Sequence, residues 1–327
     1  MSWDVQLRHG LYLPQIDWWL DAPRPTARSF VSHAHFDHMA RHQLTLCTEA
    51  TARLMHARQP ARRELLTQPF GRSFELAPGC QATFLPAGHI AGSAQLLLES
   101  EHGRLLYSGD FKLRPGRAAE PCVVPRADVL IMETTFGLPK YRLPPAEETI
   151  AAMVRFCRET LAAGAVPVLL GYSLGKAQEI LACLAGAELP VMLHPEILRL
   201  TRLCEQLGFS FPAYRDFDPL AAPGHVVIAP PQSSKAWLAR LAPRRTAMLT
   251  GWALDAATKY QTGCDAAFPL SDHADFPELL EFVERAQPRR VITVHGFAAE
   301  FAQTLRSRGL DAWAIGKENQ LEFGLGF

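Results

Sequence analysis

At 327 residues, 48% of them hydrophobic, the chain is long enough for one large domain or two ordinary ones and has the composition of a soluble globular protein. Its 33 basic and 33 acidic side chains cancel, which excludes an overall polycation, so any hold on nucleic acid rests on a local basic groove. Seven cysteines, an odd number with no CxxC pair, argue against a disulfide framework and against a thiolate zinc site.

Up to residue 136 the pattern predicts mainly short strands, at 11–13, 29–32, 83–86, 95–99, 104–108 and 129–133. Turn signals such as Pro78-Gly79 and Arg114-Pro115-Gly116 divide them. Residues 41–63 read as more helical. From about residue 145 helices and strands alternate. Helix 146–163 stops near Gly164, strand 166–171 and helix 174–184 follow, then strand 190–193 and helix 196–206, stopped by Gly208. Strand 225–229, helix 234–241 and strand 246–251 continue the series. Such alternation indicates a parallel, doubly wound sheet. Beyond it come helix 276–286, strand 290–294, helix 297–308 and a final short strand. The order predicts one α/β layer fold with a second α/β domain inserted in it. No apolar run approaches the length of a membrane span, and the first ten residues lack the charge and apolar pattern of a signal peptide. A reduced cytoplasm is the expected compartment.

The densest chemistry lies in Ser32-His33-Ala34-His35-Phe36-Asp37-His38, which places three histidines and an aspartate within six residues, just after a predicted strand. Imidazole and carboxylate ligands at that density suit zinc or manganese. A strand cap without metal would leave four polar side chains each in need of its own partner. Further candidates follow other apolar runs: Asp21 after Trp18-Trp19-Leu20, His89 after Thr83-Phe84-Leu85, Asp110 after Leu105-Leu106-Tyr107, and His295 after Val291-Ile292-Thr293. Glycines beside three of them, Gly88, Gly109 and Gly296, would let backbone approach a metal or substrate closely. A lone histidine after a strand is more often structural; the joint occurrence is what carries weight.

The series His33-x-His35-x-Asp37-His38, His89, Asp110 and His295 resembles the metallo-β-lactamase superfamily. Val129-Leu130-Ile131-Met132-Glu133-Thr134-Thr135-Phe136-Gly137 is similar to the acidic motif that opens its β-CASP branch. Ser271-Asp272-His273-Ala274-Asp275 and Thr293-Val294-His295-Gly296 are similar to that branch's second and third motifs, and Ser173-Leu174-Gly175-Lys176-Ala177-Gln178-Glu179 resembles a helix start common in its insert. The chain looks most like the bacterial ligase-associated DNA exonuclease group. That group carries an arginine-rich segment before the second motif. Residues 254–267 here hold one base, Lys259, so a DNA contact there is expected to be weaker or placed elsewhere.

The resemblance implies an αββα sandwich of residues 1–140 and 268–327 with a β-CASP α/β domain, 141–267, inserted. It implies a metal-dependent DNA nuclease, probing single strands or free ends in repair, linked to an ATP-dependent DNA ligase and a helicase. Two divalent ions, zinc or manganese, would be held by His33, His35 and His89 and by Asp37, His38 and His295, with Asp110 bridging and Asp21 orienting a ligand. A bridging hydroxide would attack phosphorus, His273 would protonate the leaving 3′ oxygen, and Glu133 would hold its ring. Asp37 would serve catalysis through the second ion. Lys112, Arg114, Lys140, Tyr141, Arg142 and Lys176 are the candidates for gripping the nucleic-acid backbone. The same motifs serve a ribonuclease in RNA processing, which is the alternative. A small thioester or lactam hydrolase needs no insert, and a scaffold without activity needs no complete ligand set.

Overall fold

The computed structural model describes residues 2–316. The first sheet is laid down in spatial order by β1 (Gln6–Leu7), β2 (Leu11–Leu13), β3 (Trp18–Leu20), β4 (Arg28–Phe30), β5 (Leu44–Cys47) and β6 (Glu64–Thr67). Its first two pairings are antiparallel and the rest parallel. The expected helical stretch 41–63 is therefore a correction. It contains β5, then Thr48 as a cap whose hydroxyl accepts from Thr51 N at 3.0 Å, and only then helix α1 (Glu49–Arg58). Leu44 to Cys47 form a short run without helical or strand periodicity, and pairing with β4 and β6 decides their conformation.

The chain next forms an antiparallel meander of β7 (Ser73–Ala77), β8 (Cys80–Pro86), β9 (Ala94–Ser100) and β10 (Gly103–Tyr107), and then β11 (Val129–Glu133) parallel to β10. Here it leaves the second sheet. Helix α2 (Ala146–Ala162) leads to β12 (Val166–Leu170), α3 (Lys176–Cys183), β13 (Val191–Leu193), α4 (Pro195–Gln206), β14 (Arg215–Asp216), β15 (Val226–Ala229), α5 (Lys235–Ala239), β16 (Arg244–Leu249), α6 (Thr258–Thr262) and β17 (Ala266–Phe268). These strands form a separate, all-parallel sheet in the order β14-β13-β15-β12-β16-β17. The chain then returns through α7 (Phe276–Ala286) to β18 (Arg290–Val294), which pairs with β11, and through α8 (Ala298–Ser307) to the edge strand β19 (Asp311–Ala314). Among the described residues no helix is long and apolar enough to cross a membrane.

The second sheet is buried on both faces, and its side-chain alternation shows it. Leu96, Leu98, Leu105, Tyr107, Val129 and Ile131 point into the layer shared with Leu13, Leu20, Phe30 and Leu46 of the first sheet. Leu97, Leu106, Leu130 and Met132 point the other way, onto Phe276, Leu279 and Phe282 of α7 and Phe301 and Leu305 of α8. The apolar faces of α7 and α8 thus cover the outside of this sheet. Helix α1 joins a further cluster in which Leu54 and Met55 meet Val31, Ile90, Leu174 and Leu200, so the insert packs against the sandwich through α4 and the loop before α3.

Phe30 lies at the joint of the two sheets, fully buried, its ring 5.3 Å from Phe84 and 6.1 Å from Tyr107 between centroids. Phe30→Ala would leave a cavity in a layer that rigid strands cannot close. A loss of about 3–5 kcal/mol is expected in urea unfolding. A loss under about 1 kcal/mol would show that the two sheets are not tightly packed here.

Candidate metal centre

Strand direction gathers the chemistry at one edge. β3, β4 and β5 run parallel, as do β10, β11 and β18, and β8 shares the direction of β10 because each is antiparallel to β9. Asp21, the 32–38 loop, His89, Asp110, Glu133 and His295 all lie at or just beyond the C-terminal ends of these strands. Open α/β sheets present their sites at that edge.

Three imidazoles converge there. His33 Nε2 lies 3.0 Å from His35 Nδ1, and His89 Nε2 lies 3.1 Å from the same atom. The other nitrogen of each ring is engaged. His89 Nδ1 donates to the Asp272 carbonyl at 2.8 Å and His35 Nε2 to the Leu174 carbonyl at 3.2 Å. Ser32 Oγ gives its only proton to Asp21 Oδ2 at 2.5 Å, so it accepts from His33 Nδ1 at 2.9 Å. The three converging nitrogens therefore carry lone pairs. Burial keeps all three rings neutral: it pulls His33 and His89 below the usual imidazole range and His35 down to about 3. Neutral imidazole is the ligating form, and lone pairs at this spacing call for a cation. The donor set fits zinc or another divalent ion.

Asp110 stands between this triad and His38. Its Oδ2 is 3.2 Å from His38 Nε2, 3.6 Å from His33 Nε2 and 3.9 Å from His89 Nε2. Burial would raise the Asp110 carboxyl, and the His38 ring outweighs it and holds the group ionised. For His38, burial would lower the ring, and Asp110 and Asp21 outweigh that and raise it. Asp21 is buried and accepts four hydrogen bonds: Ser32 N at 2.7 Å on Oδ1, and Ser32 Oγ, Tyr107 OH at 2.7 Å and His38 Nδ1 at 2.9 Å on Oδ2. Its bonds to His38 and Ser32 hold the His38 ring and the start of the 32–38 loop.

Asp37 and His295 are drawn in less tightly. The Asp37 side chain is 81% exposed, with Oδ2 3.6 Å from His38 Nε2. His295 is exposed, its ring centroid 5.6 Å from that of His38. Among the described residues the converging groups of three are His33, His35 and His89; Asp21, His33 and His38; His89, Asp272 and His273; and Asp110, Glu133 and His273.

His273 and Glu133 form a dyad beside the triad. His273 Nδ1 lies 3.0 and 3.2 Å from the two Glu133 oxygens, and its ring centroid is 4.6 Å from that of His89. Glu133 is 1% exposed and is held by Phe111 N at 2.9 Å and Thr135 Oγ1 at 2.5 Å. Burial would lower the His273 ring, and the Glu133 carboxylate outweighs it, lifting the value to about 10.

Four of the six substrate candidates need correction. Lys176 is buried, and its Nζ donates to Leu270 O and Asp272 Oδ1. Arg114 is committed to Asp275 at 2.5 Å and Glu278 at 3.3 Å. Tyr141 is buried against Phe136, Trp252 and Phe297. Lys112 is buried and lines a small cavity with His89, Glu179 and Asp272. Each carries the residue type of a backbone contact, and Lys176, Arg114 and Tyr141 have partners within the fold instead. Lys140 and Arg142 stay exposed. The glycines are likewise approached by the protein itself. Gly88 has φ +80°, and a Cβ there would come 2.3 Å from the Lys112 carbonyl. Sequence reasoning missed the Leu174 and Asp272 carbonyls, which every residue type carries, and Tyr107, whose hydroxyl reads as core.

Residues 266–314 match the family model described as RMMBL, a Zn-dependent metallo-hydrolase RNA specificity domain. The chain is 59% identical to a probable DNA ligase of Opitutus terrae, over 99% of its own length and 32% of that protein. It is 26% identical to the 5′ exonuclease Apollo of Rattus norvegicus, over 88% of its length and 55% of that protein. It is 31% identical to the transcription termination factor FttA of Thermococcus kodakarensis, over 43% and 23%. The chain therefore spans about a third of the ligase-named relative and about half of the exonuclease. A crystal structure of a protein of unknown function from Enterococcus faecalis V583 shares the fold, with a TM-score of 0.62 at 13% identity, over 89% of this chain and 79% of that one.

Two measurements check the site. His35→Ala and His89→Ala should each lower the zinc content of the purified protein in elemental analysis; wild-type content in either removes that residue from the ligand set. The dyad has a pH signature in the chelated protein. His273 is raised above its unfolded value, so the stability it adds is complete below about pH 6.5 and is lost as pH rises through about 10. Glu133→Gln should cost more stability near pH 6 than near pH 11 (both round values) in urea unfolding. An equal cost at both would separate His273 from Glu133.

Proposed function

The chain belongs to the β-CASP branch of the metallo-β-lactamase superfamily, and we propose that it is a metal-dependent DNA nuclease that hydrolyses phosphodiester bonds. The observation that carries this reading is the juxtaposition of a lone-pair triad, His33, His35 and His89, with the protonated His273–Glu133 dyad. The first suits a divalent ion, and the second holds a proton at neutral pH. Two bound divalent ions, zinc or manganese, would supply an activated water and neutralise charge growing on the phosphate.

The chain's own residues divide the remaining work. His33, His35 and His89 would hold one ion, Asp37, His38 and His295 would hold the second, and Asp110 would be shared between them. Asp21 fixes the His38 ring, and Ser32 fixes that of His33. Glu133 accepts a hydrogen bond from His273 Nδ1, which leaves Nε2–H to donate to the departing 3′ oxygen. Asp37 and His295, on the solvent side, face the substrate's approach. Lys140 and Arg142, both exposed, are the bases that would meet its backbone. Residues 1–140 and 268–327, of which Met1 and 317–327 lie outside the described residues, make up the catalytic sandwich in this reading, and 141–267 the inserted β-CASP domain.

DNA is the preferred substrate because the relative matched along nearly the whole chain is named a probable DNA ligase, and the exonuclease Apollo matches over most of it. A role in repair beside a DNA ligase and a helicase is part of this proposal, as is a cytoplasmic location, argued from the unpaired cysteines. RNA is the second reading, favoured by the RNA specificity domain described for residues 266–314 and by the termination factor. Side-by-side digestion of DNA and RNA strands of equal length, labelled at either end, with zinc, manganese or magnesium, decides between them.

Asp110→Ala should abolish cleavage while the fold survives, and near-normal rates would remove Asp110 from the site. His273→Ala should slow cleavage by about 10²–10⁴-fold without lowering metal content. On a substrate with sulfur in place of the bridging 3′ oxygen, the leaving thiolate needs no proton, so the His273→Ala enzyme should recover most of its rate. Equal slowness on both substrates, with wild-type binding, would show that His273 is not the general acid.

A further inference from the structure

The loop that opens α3 reaches from the inserted sheet into the metal centre. Its Leu174 carbonyl accepts from His35 Nε2, and the Asp272 carbonyl, on the return to the sandwich, accepts from His89 Nδ1. Two of the three converging rings are thus aimed by backbone at the seam between the insert and the sandwich. One buried cation joins the two segments. Lys176 Nζ donates to Leu270 O and to Asp272 Oδ1, both at 2.8 Å, and the residue is 2% exposed.

The rest of the first turn of α3 is equally committed. Gln178 Oε1 accepts from Gly175 N at 2.7 Å, and its amide nitrogen donates to Ser173 O at 3.2 Å and Thr201 Oγ1 at 2.9 Å. Glu179 Oε2 accepts from Arg117 N at 2.7 Å and Ala118 N at 3.0 Å, on the segment that follows Asp110. Gly175, at φ +84°, is pressed against the residue after His89: a Cβ there would lie 2.2 Å from Ile90 Cγ2. The loop bearing the Leu174 carbonyl is therefore clasped from both sides.

A buried ion pair adds little stability over apolar residues of the same size, and its better-attested use is to fix one arrangement. We propose, resting on the reading of His33, His35 and His89 as metal ligands, that Lys176 is a positioning residue. By pinning the 270–272 segment to the loop that carries Leu174, it sets the rings of His35 and His89 and couples docking of the inserted domain to metal binding. The coupling is reciprocal: an ion that binds the set rings better also tightens the seam.

The test uses Co²⁺ and Zn²⁺ on the full chain. Chelator-competition titration and the visible absorption spectrum of the cobalt form are compared in wild type, Lys176→Met and Lys176→Arg. Lys176→Met should lower the affinity for one metal equivalent by about 10–100-fold and alter the cobalt bands, and Lys176→Arg should restore part of both. Leu305→Ala, a truncation in α8 on the outer side of the second sheet, should leave the bands unchanged. Wild-type affinity and bands in folded Lys176→Met would overturn the proposal. Should Lys176→Met fail to fold, the wild-type protein still decides. Adding Zn²⁺ to the chelated chain should slow amide hydrogen exchange across 172–180 and 268–274, and unchanged exchange there would overturn the coupling. A wild-type chain that binds neither ion would overturn the ligand reading itself, and this inference with it.

Discussion

Three imidazole nitrogens that face one another with their lone pairs repel, and the architecture of this protein is built to hold them so. Each ring is fixed through its opposite nitrogen, by Ser32 Oγ, the Leu174 carbonyl and the Asp272 carbonyl. Those oxygens come from three different parts of the fold: the end of the first sheet, the insert, and the segment returning from it. The protein thus spends packing and hydrogen bonds to keep an arrangement that only a cation relaxes. Oxygen atoms on the far side of each ring set its tautomer as well as its direction, which is why His35 presents Nδ1 where His33 and His89 present Nε2.

The buried carboxylates follow the same logic from the acceptor side. Ionised groups away from water need several donors each. Asp21 has four and Glu133 is held by Phe111 N, Thr135 and His273. Asp275 shows the structural use of the same chemistry. It caps α7 with Glu278 in a reciprocal box and also takes Arg114. An acidic residue two positions from His273 is thereby spent on starting a helix, and a basic residue near the cleft is spent on that acid.

Strand direction explains why residues so far apart in the chain meet. Parallel pairing of β10, β11 and β18 sends Asp110, Glu133 and His295 to one edge, and parallel β3 and β4 send Asp21 and the 32–38 loop to the facing edge of the other sheet. The all-parallel sheet of the insert belongs to a different core, with its own apolar clusters, and touches the site through the α3 loop and the 270–272 segment. The site is therefore built at the meeting of two sheets and one inserted body.

Much was legible in the sequence, for reasons that are local. The short continuous apolar runs Leu96–Leu98, Leu105–Tyr107 and 129–133, bounded by turn residues, announce strands buried on both faces, because such a run is too short for a buried helix. Helices α2 and α7 were readable from amphipathic spacing and from punctuation: Gly164 ends one, and the Asp275 cap starts the other. The density of ligands in 32–38 identified the metal chemistry, since four such side chains so close have few other uses. Tertiary structure decided the rest. It turned 44–47 into a strand by giving it two neighbours, it buried Lys112, Tyr141 and Lys176, and it tied Arg114 to Asp275 and Glu278. It also chose the carbonyls of Leu174 and Asp272 to aim the rings. A charged side chain reads the same in sequence whether it meets water, substrate or a buried partner, and a backbone carbonyl has no residue type, so only the folded chain could assign either.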